Sequence, residues 1–238
     1  MIEKLNSEGK YLTFPGITVV SAINEHDNPL WQLVYNSLKN NQEFTNHFAL
    51  LPYESYHLTT INLYTKDAIG NEQWKKFIET HKVFFQSLNR TLNENSFKPV
   101  ISVRSINIAG ALQIMVSLPE EQMKTIQRIA KTHHVEAGIP SVFHITLAYQ
   151  FKLMKQEALE KLGLALEEII VTALKNHKGE LCLSPSKLCF FNDMTKFIPW
   201  NGDEYPFAEN TVNSNLFFVK QDTSKENASS GVINSATP

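Results

Sequence analysis

Two cysteines, Cys182 and Cys189, are too few for a disulfide scaffold or a cysteine-built zinc cage. They fall in one predicted strand region, where seven extended steps would hold them roughly 20 Å apart, so both are expected reduced, as in a cytosol. None of the eight histidines shows the paired helical spacing of a zinc hydrolase, and neither a metal nor another cofactor is expected. No run reaches the roughly 18 apolar residues of a spanning helix, and Met1-Ile2-Glu3-Lys4-Leu5-Asn6 lacks a basic region leading into an apolar one. The expectation is a cytoplasmic protein with no membrane partner. Surplus basic charge is also missing: 24 acidic against 22 basic residues leave a net charge of −2. That excludes the whole-protein attraction used by sequence-independent binders of long nucleic acid, so a nucleic-acid ligand is expected to be short or held by its end.

Apolar material is plentiful. At 42% hydrophobic and 11% aromatic content, 238 residues can bury a sizeable core in one large domain or two small lobes. Phe14-Pro15-Gly16 turns into the β-branched run Ile17-Thr18-Val19-Val20, a first strand. Pro29 opens a short helix over 28–38, with Leu30, Trp31, Val34, Tyr35 and Leu38 at helical spacing. Residues 57–64 read as a strand, and 72–92 as one amphipathic helix through Trp74, Phe77, Ile78, Phe85, Leu88 and Leu92. Two strand-like runs over 100–108 and 111–118, parted by Ala109-Gly110, predict a hairpin. A helix opened by Pro119 and Glu120, a strand from Val142, a long helix over 156–175 and one or two strands within 180–191 complete the body. The order predicts an α+β fold of two related lobes over residues 1–208. Residues 209–238 are polar around Leu216-Phe217-Phe218-Val219 and read as a flexible tail that could recruit a protein partner.

Two strands carry the same text. Tyr56-His57-Leu58-Thr59-Thr60-Ile61 and Phe143-His144-Ile145-Thr146-Leu147-Ala148 each run aromatic, His, aliphatic, Thr. Alternation in a strand puts His57 with Thr59, and His144 with Thr146, on one face each. Facing each other across a groove, they would supply two imidazoles for proton transfer and two hydroxyls for phosphate oxygens, a phosphodiester-cleaving site that needs no metal. Imidazole titrates near neutral pH, so one neutral and one protonated ring are both accessible. Phe14, Tyr53 and Trp200 stand in loop-like contexts where a nucleobase could stack. His133 and His134 at a predicted helix end, and the isolated His26, His47, His81 and His177, read as structural or solvated.

This pairing resembles the 2H phosphoesterase superfamily, named for two His-x-Thr/Ser strands, which includes bacterial RNA ligase-like/2′,3′-cyclic phosphodiesterases, plant cyclic phosphodiesterases and spliceosomal RNA-trimming enzymes. Thr13-Phe14-Pro15-Gly16, Ser55-Tyr56-His57-Leu58-Thr59 and Phe191-Asn192-Asp193-Met194 are similar to features of an uncharacterised bacterial and fungal branch. The resemblance implies two pseudo-symmetric lobes whose antiparallel sheets face a central cleft, with helices packed outside and the four motif side chains at the cleft floor. It implies a metal-independent phosphodiesterase acting on a nucleotide or a short RNA end, through a 2′,3′-cyclic phosphate or a 2′,5′ or 3′,5′ linkage. By analogy His144 is the base and His57 the acid of cyclic-phosphate hydrolysis. The alternative is a nucleotide- or phosphate-binding module without turnover. One departure stands out: many members carry Arg in a His-x-Thr-Leu-x-Arg run, where this chain has Tyr149. Strict alternation points Tyr149 away from His144 toward a packed role, with a hydrogen bond to phosphate as the other reading. Arg104, in the predicted hairpin, is the candidate replacement cation.

Overall fold

The expected first strand forms as β1 (Gly16–Ala22), buried along nearly its whole length, and is followed by α1 (Asn28–Lys39) with Pro29 in its first turn. A computed structural model describes residues 4–70 and 73–207; the expected tail lies outside the described residues. Next come α2 (Gln42–Thr45), β2 (Phe48–Leu50), β3 (His57–Thr65), α3 (Lys66–Ile69), α4 (Trp74–Thr80) and α5 (Lys82–Glu94). The hairpin β4 (Val100–Asn107) and β5 (Ala111–Ser117) turns at Gly110, whose φ of 75° suits glycine. Then follow α6 (Glu120–Thr132), β6 (Phe143–Gln150), α7 (Gln156–Asn176), β7 (Leu181–Cys182), β8 (Lys187–Phe191) and β9 (Phe197–Pro199).

Two elements correct the sequence reading. The single amphipathic helix over 72–92 is two helices, α4 and α5, because His81 leaves helical geometry between them. Its Nδ1 lies 2.9 Å from the Phe77 carbonyl and its ring stacks on Phe77 at 4.1 Å, which holds the break. Both pieces still bury their apolar faces, Trp74 and Ile78 from one and Phe85, Leu88 and Leu92 from the other. The second correction is β9, a strand in a region read as the end of regular structure. It pairs with β8 from Cys189↔Pro199 to Phe191↔Phe197, and Pro199 is tolerated because β9 is an edge strand.

The sheet runs β7-β4-β5-β6-β3-β1-β8-β9, with β2 also paired to β6, and every pairing is antiparallel. It has two four-stranded halves, β6-β5-β4-β7 and β3-β1-β8-β9, each with a motif strand at its inner edge. These inner edges meet at a single pair, Leu58↔Ile145. At the opposite end Leu183 bridges Ile23, just past β1, and its amide reaches the Pro99 carbonyl next to β4, curling the sheet back on itself. Helices cover the outside. α1 and α7 pack together, with α7 on β4, while α5 packs on β8 and α6 on β3. Trp31, Val34 and Leu38 of α1, Leu162, Leu166 and Ile170 of α7, and Phe85 and Leu88 of α5 bury their side chains between helices and sheet. Two α+β lobes with antiparallel sheets around a central cleft are therefore the architecture.

Candidate functional site

The pair that joins the halves also assembles the motifs. Leu58 and Ile145 are fully buried on the helix side, so their neighbours along each strand face the concave side. Antiparallel sense sets His57 toward Thr146 and Thr59 toward His144, and all four line one cleft of about 300 Å³. The two histidines share one local geometry. His57 Nδ1 lies 2.7 Å from the Ser55 carbonyl and His144 Nδ1 lies 3.3 Å from the Val142 carbonyl, two residues back in each case. A carbonyl only accepts, so Nδ1 carries the proton in both rings and Nε2 is the nitrogen left for a ligand.

Alternation alone misplaces Tyr149. Leu112 pairs with Ala148 and Gln113 with Thr146, so Leu147 has no partner on β5 and bulges. Leu147 and Ala148 both turn into the core, the phase resets, and Tyr149 comes round to the cleft with His144 and Thr146. β3 does the same at Thr60, skipped between Val19↔Ile61 and Val20↔Thr59, so Asn62 lines the cleft; a second skip at Leu63 follows, and Leu63, Tyr64 and Thr65 line it as well. Tyr149 and Asn62 thus occupy matching places five residues after their histidines, on opposite halves of the pseudo-two-fold arrangement.

Aromatic side chains wall the His57 side. The Phe197 ring centroid lies 4.0 Å from that of His57 and 5.1 Å from that of Phe191, which in turn lies 6.1 Å from Phe14. The Phe-Pro-Gly entry and the late Phe-Asn-Asp-Met segment meet here: the Phe14 amide donates to the Asn192 carbonyl at 2.8 Å, and Phe191 closes over Gly16 so tightly that a Cβ there would overlap its ring. Phe14, Phe191, Met194 and Phe197 all line the cleft.

Residues 4–103 match a 2H-phosphodiesterase family model. That family is described as a domain of unknown function (DUF1868), and the match contains the first motif and the first half of the cleft. The likeness to the 2H phosphoesterases is thereby shown, on a match that stops short of the second motif. A relative from Invertebrate iridescent virus 6, uncharacterized protein 127L, is 23% identical over 223 residues, covering 82% of this chain and 93% of that one. Among solved structures, the conserved protein of unknown function ATU0111 from Agrobacterium tumefaciens is 18% identical. It superposes with a TM-score of 0.62 over 84% of this chain and 90% of its own, so the fold is shared. Kluyveromyces marxianus Usb1 with uridine monophosphate is 12% identical, with a TM-score of 0.42 over 82% of this chain and 99% of that one.

The remaining sequence candidates divide. Phe14 lines the cleft; Tyr53 instead accepts a hydrogen bond from Gln32 Nε2 at 2.9 Å, and Trp200 is buried, with Nε1 donating to the Glu204 carbonyl at 3.0 Å. Arg104 is exposed on β4, its Nε donating to Ser117 Oγ at 2.7 Å, and it is not among the lining residues. Sequence reasoning missed Lys4, Asn62 and Phe197. A bulge announced by two consecutive buried residues is the only signal that could have found Asn62; Lys4 and Phe197 arrive from segments distant in sequence. Burial, to which the Phe197 ring packed against it contributes, is the main reason the His57 pKa is pushed down to about 4, against a raising contribution from the Ser55 carbonyl, with the nearby His144 and Lys4 lowering it further. Among the described residues no group of three or more His, Cys, Asp or Glu is placed to hold a metal, and no helix is long and apolar enough to cross a membrane.

Proposed function

We propose that the cleft hydrolyses a phosphodiester of a nucleotide or short RNA end by two-histidine general acid/base catalysis without a metal, Thr59 and Thr146 holding the phosphate. The observation that carries this reading is the convergence of two imidazoles, each with Nδ1 committed to a backbone carbonyl, and two hydroxyls in one cleft. In a cyclic phosphate, a water oxygen attacks phosphorus as one Nε2 takes its proton. The bond from phosphorus to the ribose oxygen breaks, and that oxygen takes a proton from the other Nε2, leaving a phosphomonoester. The threonine hydroxyls donate to the non-bridging oxygens, where negative charge grows. With its pKa near 4, His57 is neutral at pH 7, which favours it as base and His144 as acid, the reverse of the assignment by analogy. Protons then exchange with solvent to reset the pair. The aromatic wall of Phe14 and Phe197 suits a base or ribose beside the phosphate.

Wild-type protein, His57→Ala and His144→Ala are incubated in chelator with 2′,3′-cyclic mononucleotides and with 2′,5′- and 3′,5′-linked oligonucleotides, products being followed by chromatography and phosphorus NMR. Each substitution is expected to reduce turnover about 10²- to 10⁴-fold with the fold intact by circular dichroism. Wild-type turnover in either variant overturns the mechanism, and binding without any product supports a nucleotide-binding module instead.

A further inference from the structure

A cleft that binds phosphate needs positive charge, and His57 is neutral at pH 7. Among the described residues lining the cleft Lys4 is the only lysine or arginine, and no aspartate or glutamate lines it. Lys4 Nζ donates to the Tyr149 hydroxyl at 3.2 Å and lies 4.6 Å from the centroid of the Tyr149 ring and 5.5 Å from that of Phe14. One of three ammonium protons is thereby directed, leaving others for a ligand.

Its backbone is anchored. The Lys4 carbonyl accepts from the Leu12 amide at 2.9 Å, Leu5 bridges Tyr11, and Asn6 Oδ1 accepts from the Glu8 and Lys10 amides within the turn. The Tyr11 hydroxyl donates to the Ala49 carbonyl at 2.8 Å, and Ala49 is the β2 partner of Tyr149. The hairpin that carries Lys4 is therefore fastened to the strand pair that carries Tyr149.

We propose that Lys4, oriented by Tyr149, is a phosphate-binding residue of this cleft, contacting the non-bridging oxygens on the His57 side. The assignment rests on the reading of the cleft as a phosphate site. An amino-terminal lysine thus takes the place of a strand arginine, with a tyrosine on the motif strand holding it in position. Packing alone would also put a lysine stem across two rings, so the test must separate charge from packing.

Wild-type protein, Lys4→Met, Lys4→Arg and Tyr149→Phe are titrated calorimetrically with adenosine 2′-monophosphate, with inorganic phosphate and with adenosine, and histidine pKa values are followed by NMR. Methionine keeps an unbranched stem and removes the charge. Lys4→Met is expected to weaken nucleotide binding about tenfold or more with adenosine binding unchanged, and Lys4→Arg to restore most of it. Tyr149→Phe should lose a few-fold, because the amine remains but is less well aimed. In Lys4→Met the His57 pKa should rise as a neighbouring positive charge disappears, a shift that a purely packing role would not produce. Equal nucleotide affinity in wild type and Lys4→Met, or equal losses for nucleotide and adenosine, overturns the proposal. Nucleotide binding through Lys4 without diester cleavage sinks the catalytic reading and keeps this one; a wild type that binds neither the nucleotide nor inorganic phosphate sinks both.

Discussion

His57 and His144 each set Nδ1 against the carbonyl two residues back, yet their surroundings differ. Phe197 covers one of them, and dehydration penalises the imidazolium there, so His57 titrates near 4 instead of 6.5. If His57 is the base, kcat/KM of the free protein should fall only as the pH drops through about 4. Phe197→Ala should readmit water and move that acid limb up toward 6.5, readable in the rate profile and in the His57 NMR titration; an unmoved limb would show that His57 is not the group being titrated. The same shift affects stability. Between pH 6.5 and 4 the unfolded chain binds the proton that folded His57 refuses, so this group's contribution is complete above 6.5 and is lost as the pH falls toward 4. The motif residues could be named from sequence because their chemistry is local to four positions on two strands. Lys4 and Phe197 could not, because nothing near either residue distinguishes it from an ordinary terminal lysine or loop phenylalanine.

Among elements, the two bulged strands decide what lines the cleft. β6 skips Leu147 after its motif and β3 skips Thr60 and then Leu63; the first skip in each strand changes the face and brings in Asn62 and Tyr149. Regular alternation sends Tyr149 into the core, so the packed reading of that residue fails at the bulge, and the cleft-facing one keeps its geometry. β1 shows another dependence of strand on neighbour. Gly16 is conformationally ordinary, but the Phe191 ring occupies the space its Cβ would need. Gly16→Ala should cost about 1–3 kcal/mol in urea unfolding, since overpacking forces a wall of the cleft to move. Adding Phe191→Leu should recover part of that loss, and a double variant showing no coupling would remove this explanation.

The whole molecule is held closed where the chain returns from α7 to β8. Asp27, just before α1 and 1% exposed, accepts through Oδ2 from Asn24 Nδ2 at 3.2 Å and from the Cys182 amide at 3.3 Å, with His177 Nε2 3.6 Å from Oδ1. These groups tie the start of α1 to β7 and to the end of α7, remote from the cleft. Asp27→Ala should therefore lower unfolding free energy by about 2–4 kcal/mol while leaving turnover of the folded fraction unchanged; a stability change below about 0.5 kcal/mol would show the closure to be held elsewhere. By itself the sequence determined the first strand, the hairpin, the long helix over 156–175 and the two His-x-Thr pairs, because hydrophobic period and turn residues act over a few positions. Only the tertiary structure decided that β3 and β6 meet at one pair, that bulges turn Tyr149 inward, that Arg104 stays outside and that Lys4 supplies the cleft's cation. Those outcomes depend on register and on contacts between distant segments, which local propensity does not encode.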